Sequence, residues 1–236
     1  MKAMILAAGR GERMRPLTDS LPKPLLTIAG KSLIEYHIEK LVNAGITELI
    51  INHAWLGDKI EAQLGDGSRY GADIYYSPEV KALETAGGIK NALHFFADEP
   101  FLVINADVFT DYPVEHLISV CQRLAMTSEL DTMAHLVLVN NPEHHLQGDF
   151  YCWQNQLYEQ MDVMTQAQRY TFSGIACYRP QFFQTMTTGK QALAPLLRAA
   201  MAKGQVRGEI YLGEWWDIGT PERLQQLNQT YKKHLP

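Results

Sequence analysis

The chain has 236 residues, 46% of them hydrophobic, with 21 basic against 26 acidic side chains and a net charge of −5. That suffices to bury one substantial core, and an acidic balance lacks the broad positive field behind nonspecific nucleic-acid binding. No apolar run approaches the roughly 20 residues that cross a bilayer, and glycine and arginine interrupt the first strand too early for a secretory segment, so a cytoplasmic protein with no membrane or nucleic-acid partner is expected.

In chain order, apolar spacing predicts a strand at Lys2–Ala8 and then a helix starting at Ser32. There Ser32 and Glu35 form a capping box, and Ile34, Ile38, Leu41 and Val42 make a stripe that ends at Gly45. Strand Glu48–Asn52, helix Trp55–Leu64, strand Asp73–Tyr76, helix Ala86–Phe96 and strand Phe101–Asn105 continue the alternation. Helix Val114–Ala125, strand Met133–Val139, a polar stretch with N-P and G-D turn signals, strand Tyr170–Tyr178, helix Leu193–Met201 and helix Pro221–Tyr231 with a short tail follow. This order predicts a single α/β domain over 1–236, with a Rossmann-like, doubly wound, mixed but mostly parallel sheet and helices on both faces. Cys121, Cys152 and Cys177 are odd in number and too widely spaced for a C-x-x-C motif, and are expected as reduced thiols.

The most informative segment is L-A-A-G-R-G-E-R-M-R-P-L-T, Leu6 to Thr18, followed by P-K-P-L, Pro22 to Leu25. Gly9 and Gly11 lack Cβ and let backbone N–H groups approach a ligand closely. Arg10, Arg13, Arg15 and Lys23 concentrate positive charge there in an otherwise acidic chain, which suits a polyphosphate. The dinucleotide fingerprint is excluded because it needs glycine where Met14 stands, and the P-loop because it needs glycine at Leu25 ahead of Gly30-Lys31-Ser32. Arg10 and Arg15 also read as solvated surface groups.

The apolar strand F-L-V-I-N releases Asp107 into the crevice beyond the carboxyl ends of the strands, where ligands of such sheets collect. A hard oxygen ligand there suits Mg²⁺, which takes one or two carboxylates with phosphate oxygens and water. Asp217, in W-W-D-I-G-T, supplies the second carboxylate; either aspartate alone reads equally as a cap or turn residue. Asp111, before Tyr112-Pro113, reads as a helix cap. His144 and His145, adjacent on an extended segment, read as surface or turn residues, and Asn228-Gln229-Thr230 as helix surface.

Together with E-T-A-G-G (Glu84–Gly88), N-A-D (Asn105–Asp107) and W-W-D-I-G-T-P-E-R-L (Trp215–Leu224), the opening segment resembles the signature of the sugar-1-phosphate nucleotidylyltransferases. N-P-E-H-H-L-Q-G-D-F ending at Phe150, Y-T-F-S-G-I from Tyr170 and L-A-P-L-L-R-A-A-M from Leu193 resemble the members that use N-acetylmuramate 1-phosphate and UTP. The resemblance implies Mg²⁺-dependent attack of a sugar 1-phosphate on the α-phosphorus of a nucleoside triphosphate. That phosphate has a second pKa of about 6 and needs no protein base.

The resemblance further implies a nucleotide-binding half over about 1–112 and a sugar-binding half over about 113–236. Lys23 would contact the α-phosphate and the sugar phosphate, Arg13 the β- and γ-phosphates, and Asp107 with Asp217 the metal. Ala7, Ala8, Gly9, Gly11, Glu12, Glu79, Glu84, Thr85 and Gly87 would complete the nucleotide site, although Thr85 also reads as a helix cap. Asn105, Gly148, Asp149, Glu159, Ser173 and Gly174 would meet the sugar. The family's V-x-x-F-x-E-K-P motif is reduced here to L-Y-E-Q, Leu157 to Gln160, which argues against an ordinary glucose 1-phosphate enzyme. A muramate substrate needs a cation for its lactyl carboxylate, for which Arg179 and Arg198 are the candidates. Mannose 1-phosphate with GTP, glucose 1-phosphate with dTTP, and a noncatalytic nucleotide-sugar sensor stay as alternatives; oligomeric state is left open.

Overall fold

The computed structural model describes residues 1–126, 132–161 and 168–232, so the tail expected after the last helix lies largely outside the described residues. The first half runs β1 (Ala3–Leu6), α1 (Leu17–Ser20), the hairpin β2 (Thr27–Ile28) and β3 (Lys31–Ser32), α2 (Leu33–Asn43), β4 (Glu48–His53), α3 (Gly57–Leu64), β5 (Asp73–Pro78), α4 (Glu84–Ala92), β6 (Phe101–Asn105), β7 (Val108–Thr110) and α5 (Val114–Met126). The second runs β8 (Ala134–Val139), β9 (Phe150–Trp153), β10 (Gln156–Tyr158), β11 (Arg169–Tyr178), α6 (Gln181–Gln184), α7 (Leu193–Met201), β12 (Val206–Tyr211), β13 (Trp215–Asp217) and α8 (Pro221–Lys232).

Nine strands form one sheet in the order β5-β4-β1-β6-β11-β8-β12-β10-β9. The four strands from β5 to β6 pair in parallel. Beyond β6 the sheet is mixed, because β11 runs antiparallel to both its neighbours β6 and β8. Alternate residues of each strand serve opposite faces. Ala3, Ile5, Leu49, Ile51, Leu102 and Ile104 pack with Ile34, Ile38, Leu41, Ile60, Leu117 and Val120 of α2, α3 and α5. Met4, Ile50, Phe101 and Val103 pack with Ile89, Phe183, Leu193 and Leu197 of α4, α6 and α7 on the other face. Each such aliphatic side chain, removed from water, contributes about 2 kcal/mol. Among the described residues no helix is long and apolar enough to cross a membrane.

The capping box that starts α2 forms as expected: the Glu35 carboxylate accepts from the Ser32 N–H at 3.0 Å. The expected helix at Ala86–Phe96 starts earlier, at Glu84, and tightens to a 3₁₀ turn over Leu93–Phe95. Thr85 therefore lies inside the first turn rather than capping it. Strand β12 had no sequence signal, because Arg207, Gly208 and Glu209 interrupt the apolar alternation. A Cβ on Gly208 would stand 2.9 Å from the Leu136 carbonyl oxygen, so the close strand approach requires glycine.

The cysteine expectation needs correction. Cys121 and Cys177 form a disulfide, although 56 residues separate them, because α5 lies on β11 and brings their Cα atoms to 6.0 Å. Cys152 stays a free thiol. The same helix is tied to the sheet by Glu209, which accepts from the Tyr112 hydroxyl and stands 2.8 Å from His116 Nε2. Burial alone would push the Glu209 carboxyl up, but the nearby His135 ring, the Tyr112 hydroxyl bond and the His116 ring outweigh it and hold it at about 2.

Candidate active site

Strands β1 and β6 are neighbours at the centre of the parallel half, and β4 and β11 flank them. The loops leaving β1 and β6 consequently open into one crevice. A cavity of about 360 Å³ there is lined by Ala7, Ala8, Gly9, Lys23, Glu84, Thr85, Asn105 and Asp107. Glu84, Thr85 and Asn105 also line a second cavity of about 390 Å³, with Asp149, Phe150, Phe172, Leu193 and Leu197. The two adjoin along that shared wall.

The loop after β1 is held at several points. Ala7 N–H donates to Asn52 Oδ1 at 2.9 Å, and the Thr18 hydroxyl donates to the Gly11 carbonyl at 2.8 Å. Gly11 adopts φ +68°, and a Cβ there would meet Thr18 and Lys23 side-chain carbons at 3.0 and 3.3 Å, so both conformation and space demand glycine. Arg10 donates to the Thr18 carbonyl at 2.9 Å and to Asp19 at 3.1 Å, with its guanidinium 3.8 Å from the centre of the Trp55 ring. Trp55 Nε1–H donates to the same Thr18 carbonyl at 3.0 Å, and Lys59 to the Ser20 carbonyl. Arg10 and Arg15, which also pairs with Asp19, are staples of the loop. Glu12 and Arg13 are exposed, and Arg13 has no hydrogen-bond or ion-pair partner among the described residues. Neither residue is among those lining the cavity.

Lys23 sits in a 3₁₀ turn after Pro22 and is buried, with Nζ 2.5 Å from Asp107 Oδ2. Asp107 leaves β6, and its carbonyl accepts from Ile218 N–H at 2.9 Å. Antiparallel pairing of β7 with β13 sets Asp217 opposite Val108, one residue from Asp107. The two aspartates, 110 positions apart in sequence, are thus brought near each other in the backbone, Asp107 in the turn before β7 and Asp217 at the end of β13. Asp217 lines a groove that shares no lining residue with either cavity, and receives Arg223 at 2.8 Å, with His144 Nε2 at 3.3 Å. A Cβ on Gly219 would lie 2.4 Å from an Arg223 guanidinium nitrogen, which explains the glycine of W-W-D-I-G-T. His144 and Arg223 were missed in the sequence; Arg223 lay within the quoted motif, six residues after Asp217. His144 and His145 occupy a 3₁₀ turn rather than an extended segment.

Behind Asp107, His37 of α2 is fully buried and bonds the backbone of Val108. Burial pushes its pKa down to about 4, and its Nε2 has no partner among the described residues. It is neutral at neutral pH and adds no charge beside the carboxylate.

Several expected nucleotide contacts build the wall from behind. Glu79 is buried, accepts from Asn52 Nδ2 at 2.7 Å and from Leu83 N–H at 2.7 Å, and does not line the cavity. Gly88 is glycine because a Cβ would stand 2.7 Å from both Asn52 and Glu79. Gly87 admits the 187–191 loop, whose Gly189 carbonyl would lie 2.3 Å from a Cβ on it. Asn52 was not foreseen, since it sits inside a strand with no motif around it.

Of the residues expected to meet the sugar, Asn105 and Asp149 line the second cavity. Asp149 accepts from Phe172 N–H at 2.8 Å and lies 3.0 Å from His145 Nε2. Gly148, at φ +60°, abuts the Asn141 side chain that ties this loop to Arg169 and Thr171. Ser173 and Gly174 form a bulge in β11; Gly174 takes φ +81° because the Asn105 amide lies across it. Glu159 lines neither cavity and pairs with the exposed Arg198 at 3.0 Å. Arg179 lies away from both, donating to the Leu124 carbonyl.

The nucleotidyl transferase family model matches residues 2–145. The chain is 49% identical over 231 residues to an N-acetylmuramate alpha-1-phosphate uridylyltransferase of Neisseria meningitidis, covering 96% of each chain. It is 33% identical over 227 residues to the protein of the same name in Caulobacter vibrioides, covering 93% of this chain and 92% of that one. In structure it matches a putative glucose-1-phosphate thymidylyltransferase from Bacillus anthracis with TM-score 0.81 at 21% identity, over 98% of this chain and 94% of that one. The chain is an enzyme of the nucleotidyl transferase family, belonging with the sugar-1-phosphate nucleotidylyltransferases that its motifs resemble.

Proposed function

We propose that the enzyme transfers UMP from UTP to N-acetylmuramate 1-phosphate in a cytoplasmic, Mg²⁺-dependent reaction that releases pyrophosphate and forms UDP-N-acetylmuramate, a step of cell-wall recycling. The Rossmann-like first half would carry the nucleotide and the second half the sugar. The observation that carries this reading is the pair of adjoining cavities that meet at Asn105, with Lys23 and Asp107 in contact on the nucleotide side. The two full-length relatives named for this reaction support the choice of substrates.

The donor set fits Mg²⁺. Asp107, in the turn between β6 and β7, and Asp217, at the end of β13, are hard carboxylates, each balanced by a cation, and among the described residues no group of three or more His, Cys, Asp or Glu forms a cage. An ion completed by phosphate oxygens and water needs no such cage. Bound there, Mg²⁺ would offset charge on the reacting phosphates. Lys23, a compact point charge on a flexible stem, leaves Asp107 for the α-phosphate and the acceptor phosphate. Arg13 brings a planar donor fork to the departing pyrophosphate. The acceptor phosphate arrives ionised, so positioning and charge neutralisation carry the chemistry.

The test is pyrophosphate release measured over a grid of UTP, GTP, dTTP and ATP against N-acetylmuramate, N-acetylglucosamine, mannose and glucose 1-phosphates, with and without Mg²⁺. UTP with the muramate should give the highest kcat/KM and none without the metal. A different best pair overturns the substrate assignment, and turnover in excess chelator overturns the metal.

A further inference from the structure

A carboxylated acceptor requires a cation within reach of the sugar cavity. Neither arginine expected from the sequence provides it, because Arg198 pairs with Glu159 and Arg179 bonds the Leu124 carbonyl, and neither lines either of the two adjoining cavities. Among residues lining the two adjoining cavities the cations are Lys23 and Lys190, and Lys23 is engaged by Asp107.

Lys190 follows Gly189, whose φ is +119°, on a loop fixed against the start of α4: Gly87 N–H donates to the Gln191 carbonyl at 3.1 Å, and Gln191 N–H to the Leu83 carbonyl at 2.9 Å. Its ammonium stands 3.2 Å from Glu84 Oε1, and both side chains are solvent-accessible. Glu84 lines both cavities and holds φ +60°, a conformation glycine takes freely and other residues only at a cost. A side chain kept at a strained position in a cleft points to a use for it. Lys190 lines the first cavity and its partner Glu84 lines both, so the pair stands where the two cavities meet.

Resting on the muramate reading above, we propose that Lys190, positioned by Glu84, is the specificity residue that binds the carboxylate of the acceptor sugar, exchanging its pairing with Glu84 for the substrate anion. The phosphate of the acceptor is left to Lys23.

The experiment compares wild type, Lys190→Met and Lys190→Arg with saturating UTP and Mg²⁺. The acceptors are N-acetylmuramate 1-phosphate and N-acetylglucosamine 1-phosphate, which lacks only the lactyl ether. Loss of one charge-assisted contact should raise the KM for the carboxylated acceptor roughly ten- to hundredfold in Lys190→Met, and leave the KM values for UTP and for the uncarboxylated acceptor within about twofold. Lys190→Arg should restore most of the preference. An equal rise for both acceptors, or an unchanged preference, overturns the assignment of Lys190. Wild-type failure to use the carboxylated acceptor with UTP instead overturns the underlying function, before any variant is made.

Discussion

Around the first cavity, the groups that face the crevice are carried on backbone turns: a glycine loop after β1, a turn between two prolines, and a carboxylate released at the end of β6. Around the second cavity and β13, side chains hold one another. Asn105 lies across Gly174, Asp149 is fixed by Phe172 and His145, and Asp217 is flanked by Arg223 and His144. On the proposed reading the first arrangement would meet phosphates, which are common to every nucleotide. The second is a set of interlocked side chains whose shape can change through single substitutions, so acceptor choice would be the more adaptable property.

This division can be broken most forcefully at Lys23. Lys23→Ala or Asp107→Asn should lower kcat/KM by about 10²–10³, the loss typical when one preorganised charge contact to a transition state is removed, as read by pyrophosphate release. Next in size is an acid-stability effect beneath the same half. His37 is held neutral, with its pKa near 4 when folded against about 6.5 unfolded, so its contribution is fully present above about pH 6.5 and is lost as pH falls toward 4. The total is about 3 kcal/mol. Denaturant titrations at intervals across that range should show the slope, and His37→Phe should flatten it.

Gly174→Ala tests the other half. It imposes a left-handed alanine and drives a Cβ to 2.6 Å from the Asn105 amide, so about 2 kcal/mol of stability should be lost and the acceptor KM should rise with UTP binding retained. If Lys23→Ala and Gly174→Ala gave the same kinetic signature, the two halves would not be doing separate work. A smaller effect is expected at Trp55, which flanks the phosphate loop through Arg10 and the Thr18 carbonyl. Trp55→Ala should lower kcat about tenfold through a loosened Arg13, with the acceptor KM unchanged. Smallest of all, Glu84→Gly should raise stability by about 0.5–1 kcal/mol in thermal melts, because glycine accepts its left-handed backbone.

What could be read in the sequence divides along the same line. The phosphate loop, N-A-D, the capping box and strand Phe101–Asn105 are local patterns, and the structure reproduces them where they were expected. The same holds for helix Leu193–Met201, whose apolar period is regular. Contacts made between segments left no such trace. The bulge at Ser173-Gly174 shows no disruption of pattern, Asn52 looks like any strand residue, and the reach of Lys190 to Glu84 depends on a loop folding against α4. Glu79 shows the converse: a residue expected at the nucleotide from its sequence setting turns its carboxylate inward to Asn52 and Leu83.

The Asn228 amide closes the polypeptide on itself. From helix α8 it accepts from Ala29 N–H at 3.0 Å and donates to the Thr27 carbonyl at 3.0 Å, while Ile218 N–H reaches back to Asp107. The β2–β3 hairpin and α8 therefore hold each other through bonds that span 199 and 201 positions, contacts whose loop-closure cost is met only once the segments between them have folded.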